Sequence, residues 1–211
     1  MVHENFSVFM QRHDNNCVFK TECMDTEQDT YRNIHQDLIN GCMQGDQQAQ
    51  FRIYKLYYKS MYNTSLRILN DTLEAEDVIQ EAFLSAFEKI GTYRQEVSFG
   101  AWLKRIVINR SLDHLKKRKM ILEPVEEKFD VADESGQENG SLSEEELREK
   151  LEIIRNAIDS LPDGYRIILS LYLLEGYDHD EIAGILNISP STSRSQYARA
   201  RKKLLEIIKQ S

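Results

Sequence analysis

An all-helical chain of two small domains joined by an acidic tether is what this sequence predicts, on three observations. Proline and glycine are scarce, 3 and 9 in 211 residues, which favours helices over turn-rich sheets. Apolar residues recur at steps of three and four over long stretches. Between two such stretches the composition changes abruptly: residues 122–149 hold eleven acids against two bases, with Gly136, Gly140 and several serines. The expected organisation is an extension over 1–34, a helical domain over 35–119, a flexible linker over 120–141 and a second helical domain over 142–211. With 41% apolar residues, a core can form in each helical part.

Residues 1–30 carry six acids and two bases and show no clean period. From Asp37 the pattern is helical. Phe51, Tyr54, Tyr58, Met61, Tyr62, Leu66 and Leu69 predict the apolar face of a long helix. Asp71 opens the next helix, with Glu74 at capping-box spacing. Ile79, Ala82, Phe83, Ala86, Phe87 and Ile90 form its buried stripe, and Gly91 marks its end. A polar loop follows, Thr92 to Val97. Ser98 then caps a helix that runs to about Lys119. Its apolar residues fall on two sides, Phe99, Leu103 and Ile106 on one and Ile108, Leu112 and Leu115 on the other, so period does not orient it. It ends in a basic run, Lys116 to Lys119.

In the second domain, Leu161-Pro162-Asp163-Gly164 breaks the helical pattern once. Gly176 ends a helix carrying Ile167, Ile168, Leu171 and Leu174. Asp178 and Glu181 cap a short helix with Ile182, Ala183, Ile185 and Leu186 inside. Asn187-Ile188-Ser189 is a turn. Ser189 caps the last helix, and Pro190 takes its first position, where a missing N–H costs nothing. The two domains differ in pattern and charge and show no internal repeat.

The formal net charge of −8 argues against a nucleic-acid binder, but the charge is segregated. The cysteines Cys17, Cys23 and Cys42 are odd in number. With no signal peptide and no apolar run near membrane-span length, they fit a reducing cytoplasm. His13, Cys17 and Cys23 match no zinc spacing, so no metal is expected. A phosphate loop and a nucleophile motif are both missing, so neither a cofactor nor an enzymatic activity is expected.

The strongest functional signal spans Asp178 to Ile208: a short capped helix, a tight turn and a longer helix that turns basic. On a helical wheel Tyr197, Ala200, Leu204 and Ile208 face inward. Ser191, Arg194, Ser195, Ala198, Arg199 and Lys202 share the opposite face. Residues 194–209 hold six bases and one acid in an otherwise acidic chain. Short side chains and arginines on one outer face are what a helix needs to reach base edges in the major groove. Exposed arginines on a helical hairpin are commonly no more than a solvated face. The cap, the turn and the Ser-Pro start together favour a DNA-binding helix-turn-helix. Arg194 and Arg199 are the expected readers of bases or phosphates, and Lys202 is better placed for phosphates.

The first domain needs its own account. On the helix from Asp71, the side away from the core carries Asp77, Gln80, Glu81, Leu84 and Glu88. A leucine among carboxylates suits a protein-docking surface, and equally a charged face with one stray leucine.

Three blocks resemble a known family. Asp77-Val78-Ile79-Gln80-Glu81-Ala82-Phe83 resembles the polymerase-binding helix of region 2 in sigma factors. Thr92-Tyr93-Arg94 followed by Phe99 to Arg110 resembles the part of that region that melts and reads the minus-ten element. Leu161-Pro162 through Tyr177 to Ala183 and on to Leu204 resembles region 4, which reads the minus-thirty-five element. An acidic linker in place of region 3 resembles the extracytoplasmic-function subfamily of the sigma-70 family. The resemblance covers roughly 35–119 and 142–209.

It implies a non-enzymatic factor that binds the RNA polymerase core at its clamp and flap and recognises and melts promoter DNA. It also implies an anti-sigma factor as partner and a monomer when free. By position, Asp77, Gln80 and Glu81 match the clamp contact, and Leu84 lies on the same face. The Thr92–Ser98 loop, with Thr92, Tyr93, Arg94, Gln95 and Ser98, matches the loop that captures a flipped base, and Asn109 matches a position near the minus-ten strand. Arg194, Ser195 and Arg199 match recognition positions. Tyr93 is the aromatic expected to meet the single strand, while Trp102 is expected to support the core. Gln95-Glu96-Val97 stands where a small-acidic pair is usual, and Ala198 where bulkier residues occur, so base preferences do not transfer. The other reading is a stand-alone helix-turn-helix regulator, which leaves the Asp77–Leu84 face and the long tether without a role.

Overall fold

The computed structural model of the chain describes residues 34–121 and 144–210. Nearly all of the expected extension and linker, and the His13, Cys17 and Cys23 group, lie outside them. The described residues fall into two compact units, and all of their regular structure is helical.

The first unit holds α1 (Gln36–Met43), α2 (Gln47–Leu69), α3 (Thr72–Glu88), a 3-10 turn (Ile90–Thr92) and α4 (Phe99–Ile121). Asp46 caps α2 by accepting the Gln48 N–H at 2.8 Å, and Asn70 ends it in the left-handed region, φ 55°. Gly41 sits where α1 meets α2. A Cβ there would stand 2.8 Å from the Ala49 Cβ, so the approach requires glycine. Asp71 caps α3 as expected, accepting the Glu74 N–H at 2.9 Å.

The stripe expected on α3 is buried, Phe87 partly. The stripe expected on α2 is shifted. Ala49, Ile53, Met61, Thr64, Ser65, Ile68 and Leu69 are its buried residues. Phe51, expected inside, is 58% exposed, with the Lys55 ammonium 4.6 Å from its ring centre. The physical reason is the tyrosines. Tyr54, Tyr58 and Tyr62 are partly buried at the edge of the core, where an amphipathic ring belongs, and counting them as interior tilts the wheel toward Phe51.

Helix α4 has no single apolar face because it packs against both α2 and α3. Leu103, Val107, Ile108, Leu112 and Leu115 are all buried. At its crossing with α2 two fully buried serines meet, Ser65 and Ser111, with their hydroxyls 2.9 Å apart. Ser111 also reaches the Val107 carbonyl at 2.9 Å, so this polar contact in the core is satisfied.

The second unit holds α5 (Glu144–Asp159), α6 (Asp163–Leu169), a π-turn (Ser170–Leu174), α7 (His179–Leu186) and α8 (Pro190–Gln210). The break at Leu161–Gly164 is fastened by a buried arginine. Arg166 donates to the Leu161 carbonyl at 3.1 Å and pairs with Asp163. Leu174, expected in the buried stripe with Ile167, Ile168 and Leu171, is exposed. The backbone explains it: Glu175 N–H bonds to the Ser170 carbonyl five residues back, at 3.0 Å. That wider winding carries Leu174 out of the α-helical register. Gly176, at φ 79°, then reverses the chain in the left-handed region.

Candidate nucleic-acid interface

Capping chemistry shapes the helix-turn-helix. The Asp178 carboxylate accepts the Asp180 and Glu181 N–H groups at 2.9 and 2.8 Å. Glu181 returns a contact to the Asp178 N–H at 2.9 Å, completing a capping box at the start of α7. Asn187, at φ 56°, ends α7 in the left-handed region. Ser189 then accepts the Thr192 N–H at 3.0 Å, and α8 begins at Pro190.

Helix α8 sorts its residues as its period predicts. Ser193, Tyr197, Ala200, Leu204 and Ile208 are buried. Ser191, Arg194, Ser195, Ala198 and Arg199 are exposed and Lys202 is half-buried. The two outer serines bond locally: the Ser191 hydroxyl lies 2.8 Å from that of the capping Ser189, and Ser195 donates to the Thr192 carbonyl at 3.0 Å. Arg194 and Arg199 are therefore the fully exposed long donors on this face, with half-buried Lys202 behind them in exposure.

Sequence reasoning missed the joint that sets α8 against α7. The His179 ring lies on Tyr172 with centres 4.7 Å apart and meets Tyr197 edge-on at 5.6 Å. Its Nδ1 is 3.0 Å from the hydroxyl of buried Ser193. Histidine and serine carry no apolar signal, so only the caps around them are visible in sequence.

In the first unit, Asp77, Gln80, Glu81 and Leu84 are all exposed on α3, Leu84 at 65%. Leu73, one turn before Asp77, is 73% exposed and extends the same stripe. Its place in the first turn, before the Asp77–Phe83 run, gives it no signal in the sequence. Arg110 of α4 approaches Glu81 at 3.7 Å.

The 92–98 loop divides its residues. Thr92 and Arg94 are exposed and Gln95 is half-buried. Ser98 caps α4, accepting the Ala101 N–H at 3.2 Å. Tyr93 does not offer its ring to a strand. It is 5% exposed, packed against Phe99 and Trp102 at 5.5 and 5.4 Å, and its hydroxyl donates to the Val97 carbonyl at 2.7 Å. An aromatic this close to two others is held by the core. Trp102 is partly buried beside it, as expected of a core support. Asn109 is exposed on α4, with Arg105 one turn before it also exposed. No group of His, Cys, Asp or Glu among the described residues could hold a metal ion. None of the described helices is long and apolar enough to cross a membrane.

A capped helix-turn-helix with a basic outer face in one unit, and an exposed acidic and apolar stripe in the other, define a DNA-binding adaptor class. Comparison with known proteins agrees. Residues 53–120 match Sigma-70 region 2 and residues 151–204 match Sigma-70, region 4. The chain is 31% identical over 178 residues to the ECF RNA polymerase sigma factor SigW of Bacillus subtilis, covering 79% of this chain and 92% of that one. It is 30% identical over 175 residues to the RNA polymerase sigma-H factor of Pseudomonas aeruginosa, covering 79% and 90%. In fold it is similar to CnrH, solved with the cytosolic domain of CnrY, at TM-score 0.52 and 19% identity over 84% of this chain and 98% of that one. A second similar fold is the sigma factor RpoE of Bartonella quintana, solved with the anti-sigma factor NepR, at TM-score 0.52 and 23% identity over 75% and 95%. The chain belongs to the sigma-70 family of RNA polymerase sigma factors, in its extracytoplasmic-function branch. Its function is transcription initiation, and the stand-alone regulator is not favoured.

Proposed function

We propose that three surfaces divide the work of this sigma factor. The α3 face of Asp77, Gln80, Glu81 and Leu84 docks on the RNA polymerase core. The loop Thr92–Ser98, with Thr92, Arg94, Gln95 and Ser98, holds the minus-ten strand after melting, together with Asn109 further along α4. Helix α8 reads the minus-thirty-five duplex through Arg194 and Arg199, with Ser191, Ser195, Ala198 and Lys202 on the contact face. The sorting of α8 into a buried inner face and an exposed, short-chained, basic outer face carries this reading.

The chemistry is positioning and strand capture, with no bond made or broken by this chain. Docking would bring both DNA-reading units to one promoter, so two weak contacts become one selective one. Base flipping costs a few kcal/mol, roughly, and loop contacts must offset it. The factor acts in the cytoplasm, is monomeric when free, and is restrained by an anti-sigma factor. The last point is supported by the similar fold of RpoE, which was solved with the anti-sigma factor NepR. A run-off assay with purified core polymerase and a promoter library tests the whole. Transcripts should need core, this chain and a specific upstream sequence together. Specific duplex binding that ignores core, with no transcript from any template, would refute the proposal.

A further inference from the structure

Three described non-glycine residues have positive φ: Asn70, Gln95 and Asn187. Asn70 and Asn187 end helices, a common place for asparagine in the left-handed region. Gln95, at φ 61°, sits in mid-loop and lacks the short amide side chain that eases that conformation. The loop's flanks show what holds it. On one side the Tyr93 N–H bonds to the Ile90 carbonyl at 3.1 Å and the Thr92 hydroxyl to the Lys89 carbonyl at 2.7 Å. On the other, Ser98 is engaged in capping α4. Across the neck runs the Tyr93 hydroxyl, donating to the Val97 carbonyl at 2.7 Å. The Tyr93 ring is seated in the aromatic core, so its phenol is a fixed post to which the far end of the loop is tied. Between the tied residues Arg94 and Glu96 stand exposed, as does the side chain of Val97 itself.

We infer that Tyr93 is a positioning residue for strand capture: its hydroxyl presets the Arg94–Val97 loop, left-handed turn at Gln95 included, in the form that receives the single strand. The inference rests on the reading of this loop given above. It replaces the expected role of Tyr93 as a stacking surface with one exerted through the backbone. A preset loop is already ordered when the strand arrives, so less of the contact energy is used in ordering it.

The test uses the full chain bound to core polymerase and a fork DNA randomised over its single-stranded segment. The sequences wild type retains become the probe. Tyr93→Phe keeps the ring and removes the tie. It should weaken probe binding about fivefold, the equivalent of one ordinary hydrogen bond, and retain a broader set of sequences. Core association and the melting midpoint of the free chain should stay unchanged. In the free chain, ¹⁵N order parameters at Gln95 and Glu96 should fall. Gln95→Gly, which relieves the left-handed turn, should shrink the loss caused by Tyr93→Phe. Wild-type affinity, preference and loop order in Tyr93→Phe would overturn the inference. A swap of the whole Thr92–Ser98 loop that still alters preference would then leave the loop's reading standing. If the swap changes nothing, that reading fails and the inference with it. A Tyr93→Phe chain that melts early, with base preference intact, would assign the hydroxyl to the fold alone and also overturn it.

Discussion

Arg118 of α4 reaches across to Glu74 of α3, its Nη1 donating to Glu74 Oε2 at 2.9 Å and lying 3.4 Å from the Leu69 carbonyl. His114 approaches the same carboxylate at 3.7 Å. One member of the basic run at the end of α4 thus ties three helix ends together. Arg118→Ala should destabilise the first unit by about 1 kcal/mol, a charge-assisted bond discounted for partial exposure. Lys117→Ala, whose side chain is exposed, should leave the melting midpoint where it is. Thermal melts of the two variants compare them directly; equal midpoints would remove Arg118 from the scaffold.

The α3 face predicts a second pair of results. Charge reversal at Asp77 and Glu81 should weaken co-purification with core polymerase while the circular dichroism stays helical. Leu84→Ser should do the same, since an apolar side chain so exposed contributes little to the fold. Core binding at wild-type strength in both variants would place the docking surface elsewhere.

On α8 the two faces should answer differently. Arg194→Ala and Arg199→Ala should cut transcription from cognate promoters without lowering stability, and at least one should relax selectivity at a defined upstream base pair. An arginine on a guanine edge is worth about 1–3 kcal/mol of discrimination. A phosphate contact would instead weaken all sequences alike and flatten the salt dependence. Tyr197→Ala should lower the melting midpoint of the second unit. Early melting of both arginine variants with a thermally normal Tyr197→Ala would mean the faces are inverted.

The His179 joint predicts a loss of order rather than of contact. His179→Ala removes a ring packed on Tyr172 and Tyr197 and leaves the buried Ser193 hydroxyl without that partner. It should lower the midpoint of the second unit and weaken DNA binding with no change in preferred sequence. A shifted sequence preference would show that His179 acts on the DNA rather than through the fold.

Cys42 carries the pH-dependent prediction. Burial first, and then the negative charge of Asp46, push its thiol above the usual value of 9.0. The folded chain therefore favours the neutral thiol, and the stability this contributes is present below pH about 9 and lost as pH rises through the raised value. In a variant with Cys17 and Cys23 changed to Ser, alkylation at pH about 8 should be slow until the chain unfolds, since the thiolate is the reactive form. Rapid labelling of the native chain, followed by mass spectrometry, would contradict a closed site.

What could be read in advance follows from which signals are local. Caps are local, so Asp71, Ser98, Asp178 and Ser189 are each found accepting the expected N–H. Apolar periodicity is local too, and it located the inner face of α8. The Phe51 error shows its limit, because a tyrosine does not declare whether it lies inside or at the edge. Contacts between distant residues leave no local trace. The Ser65–Ser111 pair is 46 residues apart in sequence and is invisible to any wheel. The chemistry of Tyr93 suggests a strand contact, yet its ring lies in the core, because a loop's ring can fold back on the helix that follows it.

The π-turn at Ser170–Leu174 has a consequence for how this chain can be edited. A π-turn holds one residue more than an α-turn needs, so it behaves as a built-in insertion. Deleting one residue there would let the backbone close into regular helix with every hydrogen bond still made. Side chains beyond the deletion would keep their angular places, because the wider turn already absorbs the extra residue, and only those within the five residues would be re-spaced. Tyr172, which meets both His179 and Tyr197 from inside this turn, would lose its place while the helix survived intact. The Tyr172 joint is therefore sensitive to a change of length that the helix itself tolerates.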